Sequence, residues 1–257
     1  MSFKQIHILG VLMLFLFPFG KVWAVDEHYQ DLYSKANEAY QAGAYDSARS
    51  IYAEIVENGI VSSELFYNLA NTYFRLERIP EAILYYERAQ RLDPSDADIQ
   101  YNLEIARGFI TDKISPIEEM FFVTWWNGLA TEMGADTWAA TFILLLFLFA
   151  TLVTVFVTAK ERRLKQLGLI GASAVILGAV VVWNLALSAE KVYNAPAAIV
   201  FAPSVNVTSE PGRAGVDQFI IHEGLKVEVI DEQGDWTRIQ LSDGNSGWLP
   251  SPSIEKI

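Results

Sequence analysis

The side chains of this sequence best suited to bind something are amides and aromatics, not acids, bases or nucleophiles. There is no cysteine, which excludes disulfides, thiolate metal sites and cysteine nucleophiles. The histidines are His7, His28 and His222, too scattered to form a metal site. No Gly-rich phosphate loop is present, and no paired histidines stand with carboxylates. Neither an enzyme nor a cofactor is expected. Asn37, Asn68, Asn71 and Asn102 recur among aromatic residues. A carboxamide donates and accepts at once, so such residues can pair with the backbone of a bound polypeptide, or else hold one helix to the next. Near the C-terminus, Trp236 with Arg238 offers a face for a peptide or a wall fragment, although tryptophan in a small domain also closes cores. The third feature is charge. Lys160, Arg162, Arg163 and Lys165 lie within "KERRLK", in a chain with only 19 basic residues and a net charge of −12.

That basic cluster separates two charge-free runs, 137–159 and 166–189. Each is long enough to cross about 30 Å of hydrocarbon as a helix. The spacing predicts a two-span hairpin with 160–165 as its tip. Basic residues in short loops stay on the cytoplasmic side, which puts both flanks on the other side. A leader is expected over 1–24, with Lys4, an apolar run and "VWA" before the cut. It exports the N-terminal flank by an independent route. Small residues on the second span, Gly168 with Ala172 and Ala174 with Gly178, predict close packing on the first. Neither span contains an ionisable residue, so an anchor is expected and not a transport path. Segment 116–136 carries Phe121, Phe122, Trp125 and Trp126 and is expected to lie in the interface.

Residues 25–115 repeat with a period of 34: Ala36 with Ala70, Ala48 with Ala82, Tyr52 with Tyr86. This is the period of tetratricopeptide repeats, which are antiparallel helix pairs. Repeats are expected at 29–62 and 63–96, with a capping helix over 97–113. The four asparagines resemble the groove asparagines of peptide-binding tetratricopeptide proteins. The Lys and Arg residues of a carboxylate clamp are absent from the corresponding positions, so capture of a free C-terminus is not expected. The region holds 16 acidic and 8 basic residues. Nucleic acid is not an expected partner of such a surface.

Residues 190–257 switch to short strand-like pieces broken by glycine, asparagine and proline. The series "VNVTSEPG", "HEGLKVEV", "GDWTRI" and "DGNSGWL" resembles bacterial SH3-like domains. Within it Trp248 is expected in the core, and Trp236 with Arg238 on the ligand face. The expected fold class is thus a multidomain membrane protein: an all-α tetratricopeptide array, two transmembrane helices and an all-β SH3-like barrel. The order of parts, with "NLANTYFRLERIPEAILYYERAQRLDPSDADIQYNLEIAR" and "FFVTWWNGL", is similar to that of BatE proteins of the Bacteroides aerotolerance operon. The resemblance implies a non-catalytic component of a bacterial inner-membrane complex, with both soluble domains periplasmic and the hairpin tip cytoplasmic. It also implies von Willebrand A-type membrane proteins and, indirectly, a MoxR-type ATPase as partners, and a role in aerotolerance or other stress resistance. The lipid bilayer is a further expected partner. Attachment to peptidoglycan through the SH3-like domain is the alternative.

Overall fold

The computed structural model describes residues 27–212 and 215–257. The expected leader, 1–24, lies outside them.

Five helices open the described chain: α1 Glu27–Gln41, α2 Tyr45–Glu57, α3 Ser63–Arg75, α4 Ile79–Leu92 and α5 Ala97–Gly108. Local chemistry sets their ends. The Ser62 hydroxyl accepts from the Leu65 amide at the start of α3 (3.1 Å). Asp96 does the same for Asp98 and Ile99 at the start of α5. Both are side chains that satisfy a helix's orphan N–H groups. Alanines 36, 48, 70, 82 and 89 are fully buried where helices cross, and Tyr52, Leu69, Ile83 and Tyr86 fill the space between them. The core is therefore built by alternating small and large side chains, which lets helix pairs approach and interdigitate.

Three helices follow: α6 Phe121–Thr131, α7 Ala135–Thr158 and α8 Arg162–Tyr193. The last two are long and apolar enough to cross a membrane. They pack side by side. A Cβ on Gly168 would stand 2.9 Å from the Phe156 amide nitrogen and 3.0 Å from the Leu152 carbonyl, so only glycine allows this crossing. Ala172 and Ala179 are buried along the same seam. The pair Ala174 and Gly178 departs from expectation. Ala174 is exposed, and a Cβ on Gly178 would meet nothing within 4 Å. The seam follows 168, 172 and 179, spaced four and seven residues apart on one helix face, and 174 and 178 fall outside it. The turn is also shorter than 160–165. Helix α8 starts at Arg162, so Arg162, Arg163 and Lys165 occupy its first turn. Lysine and arginine are good helix formers and do not stop its propagation.

Helix α6 lies against the base of this hairpin. Trp126 Nε1 donates to Ser188 Oγ and Trp138 Nε1 to the Ala130 carbonyl, each at 2.9 Å. Its other face, with Phe121, Phe122 and Trp125, is exposed.

The C-terminal part is one antiparallel sheet of seven strands: β1 Ala197–Val200, β2 Ser204–Thr208, β3 Asp217–His222, β4 Lys226–Gln233, β5 Trp236–Gln240, β6 Ser246–Pro250 and β7 Ile254–Lys256. The order is β3-β2-β6-β5-β4-β1-β7. The end strands β3 and β7 do not pair, so the sheet is open and does not form the closed barrel the sequence pattern predicts. Even so, Ile221 of β3, Val227 of β4 and Ile254 of β7 share one core with Ile239 and Leu249, because the sheet curls over it. Bulges at Val207/Thr208 and Val229/Asp231 sharpen that curl.

Array and sheet are not separate bodies. Ile199, Phe201 and Ile257 pack into the helical core with Ile83 and Leu103, while Ile110 and Ile114 pack into the sheet core. The sheet closes the end of the array, where a second helix of a third repeat would otherwise stand.

Candidate functional site: the tyrosine–asparagine face of the array

The 34-residue period places equivalent side chains on successive first helices, and the four asparagines form a ladder with tyrosines. Within each repeat a tyrosine hydroxyl of the second helix donates to an asparagine Oδ1 of the first: Tyr52 to Asn37, and Tyr86 to Asn71 at 2.5 Å. Between repeats the asparagine donates. Asn68 Nδ2 reaches the Tyr33 hydroxyl at 2.5 Å, and Asn102 Nδ2 reaches that of Tyr67 at 2.7 Å. The structure brings Asn37, Asn68, Asn71 and Asn102 together on one face of α1, α3 and α5, each half-buried and each tied to a tyrosine.

Burial holds these phenols neutral. Tyr52 is pushed up to about 12, chiefly by desolvation. Tyr33 is raised as well, by burial first and then by Glu64 against its hydroxyl. Tyr86 is raised by burial, with a smaller contribution from Tyr67. A neutral phenol keeps its proton, which the bonds to Asn37 and Asn71 require.

At the end of the face an acid fixes the sheet. Glu87 of α4 is 2% exposed. Its Oε1 accepts from Arg107 Nη2 of α5 at 2.5 Å, and its Oε2 from Lys226 Nζ of β4 at 2.6 Å. Burial opposes its ionised form, but Lys226 and Arg107 outweigh burial and hold the carboxyl below its ordinary range. Around it Arg88 Nη2 donates to the Lys256 carbonyl, while Arg91 donates to the Ile257 and Ala195 carbonyls, all at 2.8 Å. On the strap after α5, Asp112 accepts from the His222 amide at 2.7 Å and faces its Nδ1 at 2.9 Å.

Trp236 and Arg238 lie on the outer face of β5. Trp248 joins them: it pairs with Arg238 in register and is half-buried. This corrects the expectation that Trp248 fills the core. Thr237, Ile239, Gly247 and Leu249 are the inward residues of β5 and β6, and strand alternation turns Trp248 outward. Lys160, Arg162, Arg163 and Lys165 are all exposed at the turn between α7 and α8. The array and the sheet sit at the opposite end of α7, about 36 Å away for 24 residues at 1.5 Å each.

Among the described residues no cluster of His, Cys, Asp and Glu could hold a metal ion. On the side-chain pattern of the second helix pair, the comparison with protein families is decisive. Residues 63–96 match the family described as Tetratricopeptide repeat. The matching residues are visible: Phe66, Leu69, Ala70 and Tyr73 on α3, Ala82 and Tyr86 on α4, then Pro94. Tetratricopeptide repeats are protein-interaction modules, typically non-catalytic, which points the array to that role. No curated protein matches the chain.

Sequence reasoning did not find Glu87, Arg88, Arg91 or Lys226. One signal was available. Glu87 is four residues after Ile83, so it continues the buried stripe of α4 where an apolar side chain belongs. A carboxylate in that position requires cationic partners.

Proposed function

We propose that this chain is a non-catalytic, membrane-anchored adaptor. It presents a tetratricopeptide groove and an SH3-like domain on the periplasmic side of a bacterial inner membrane, for assembly of an envelope complex. The observation that carries this reading is the polarity of the hairpin. Both soluble modules stand at its open end, and four basic residues stand at its turn. Three of those cations occupy the first turn of α8, where the helix dipole disfavours positive charge. Their placement therefore does not serve helix stability, and retention in the cytoplasm accounts for it. Helix α6, with its exposed aromatic face, rests in the headgroup layer beside the spans. The partners that the BatE resemblance implies are von Willebrand A-type membrane proteins and, through them, a MoxR-type ATPase. The associated physiology is aerotolerance or stress resistance.

A single cysteine at exposed Gln41, in an otherwise cysteine-free chain, tests the adaptor. Intact cells with a permeable outer envelope are treated with a membrane-impermeant bifunctional thiol reagent. The expected result is an adduct with one discrete membrane protein. Modification with no protein adduct would contradict it.

Wall attachment is the second reading, favoured by the outward Trp236, Arg238 and Trp248. Full-length detergent-solubilised protein is then expected to pellet with purified sacculi, and to stop doing so with Trp236→Ala. The whole chain is needed, because Ile110 and Ile114 complete the sheet core.

A further inference from the structure

We infer that the groove takes an extended basic segment of about six residues, anchored by one large apolar side chain at the α5 end. The length follows from three helices spaced about 8–10 Å apart and a strand rise of about 3.3 Å per residue. The inference rests on the adaptor reading and names the class of partner.

The first observation is how the ladder spends its amides. Asn37 and Asn71 accept from tyrosine through Oδ1, leaving Nδ2 as a donor. Asn68 and Asn102 donate through Nδ2, leaving Oδ1 as an acceptor. No buried side-chain nitrogen or oxygen lacks a partner among the described residues, so these free ends face water. Donors and acceptors thus interleave across α1, α3 and α5. An extended backbone, with alternating C=O and N–H groups, complements that row, and a helix has already spent those groups.

The second observation is a change of chemistry along the array. Besides Asn68 and Asn102, three repeat positions line the face: Tyr33, Tyr67 and Tyr101; Asn37, Asn71 and Ile105; Gln41, Arg75 and Phe109. At α5 the last two columns turn apolar. Tyr101 is 68% exposed, Phe109 65% and Ile105 36%, and the Phe109 ring stands edge-on to Phe74 at 5.5 Å. This is a shelf for one aliphatic or aromatic side chain.

Charge selects the occupant. Glu64 and Asp98 are exposed at the starts of α3 and α5. The basic residue among these three columns, Arg75, is held over the Tyr45 ring at 4.8 Å. A basic segment is attracted and an acidic one repelled. A second copy of this chain fits poorly as a continuation of the array. The outer side of α1 carries Ser34, Glu38 and the Asp31–Lys35 ion pair, with nothing to fill the shelf.

The test is selection from a phage-displayed library of random 12-residue peptides on the full chain in nanodiscs. Ile105→Asp and Asn71→Leu proteins are run in parallel, each checked for an unchanged melting profile, with Phe109→Ser replacing either that fails. The expected pool is rich in Lys and Arg around one Phe, Trp, Leu or Ile, and recovery falls at least tenfold on both variants. A pool that depends on Asn71 but is acidic, or lacks the apolar residue, overturns the inference and keeps the groove. A pool indifferent to both variants, or no enrichment at all, overturns the inference and the adaptor reading together.

Discussion

Glu87 joins three elements through one carboxylate, and its behaviour with pH follows from that. Its folded value lies below its ordinary 4.5 because Lys226 and Arg107 face it. A depressed carboxyl contributes stability that is present above the ordinary value and lost as pH falls through the folded one. The docking of sheet on array is expected to weaken below about pH 4.5. Glu87→Gln removes that acid sensitivity and costs about 1–3 kcal/mol at neutral pH, since Arg107 and Lys226 are half-exposed and rehydrate. Thermal melts of both proteins between pH 3 and 7, an interval spanning roughly the carboxylate range, check this. The tyrosines carry the opposite sign. Tyr52 is raised from 10.0 to about 12, so its contribution is complete below 10.0 and lost as pH climbs toward 12. The array is expected to unfold in that window, in step with the rise of phenolate absorbance in the ultraviolet. Tyr52→Phe should lower neutral stability by about 1 kcal/mol, by removing the bond to Asn37. Unfolding that precedes the absorbance change would contradict the ladder.

Where two elements meet, a glycine decides the approach at two sites. At Gly168 a side chain would collide with the backbone of α7, so Gly168→Val is expected to separate the hairpin in detergent. Gly178→Ala meets nothing within 4 Å and should stabilise α8 by up to about 1 kcal/mol. Hairpin unfolding in graded SDS distinguishes the two. At Gly224, φ is +83° and a Cβ would stand 2.6 Å from Ile110 Cγ2. Gly224→Ala is expected to lift the sheet from the strap and expose 109–117 to limited proteolysis, with the array itself still folded. The elements were largely legible in the sequence, and what joins them was not. A 34-residue period repeats Ala36 at Ala70 and Tyr52 at Tyr86, and charge-free runs announce α7 and α8. These are local signals. The Arg88 bond to the Lys256 carbonyl joins residues 168 apart, and no periodicity encodes it. Trp248 illustrates a subtler failure. Aromatic bulk suggested core, but Gly247 and Leu249 are the inward residues of β6, and strand phase overruled hydrophobicity. The asparagines were legible as a set, while their tyrosine partners, 15 or 35 residues away, appear only once the helices are stacked.

Taken whole, the molecule has two ends. Array and sheet share core residues, so they hold one another, and the basic turn lies beyond the far end of α7. The adaptor proposed above requires its two ends to lie on opposite sides of a membrane. The direct measurement is a pair of single-cysteine proteins, Ser47→Cys on exposed α2 and Glu161→Cys at the turn, treated with an impermeant maleimide in intact cells with a permeable outer envelope. The expected result is modification at 47 without lysis and at 161 only after lysis. Modification at 161 in intact cells, with 47 protected until lysis, would reverse the topology and contradict a periplasmic groove.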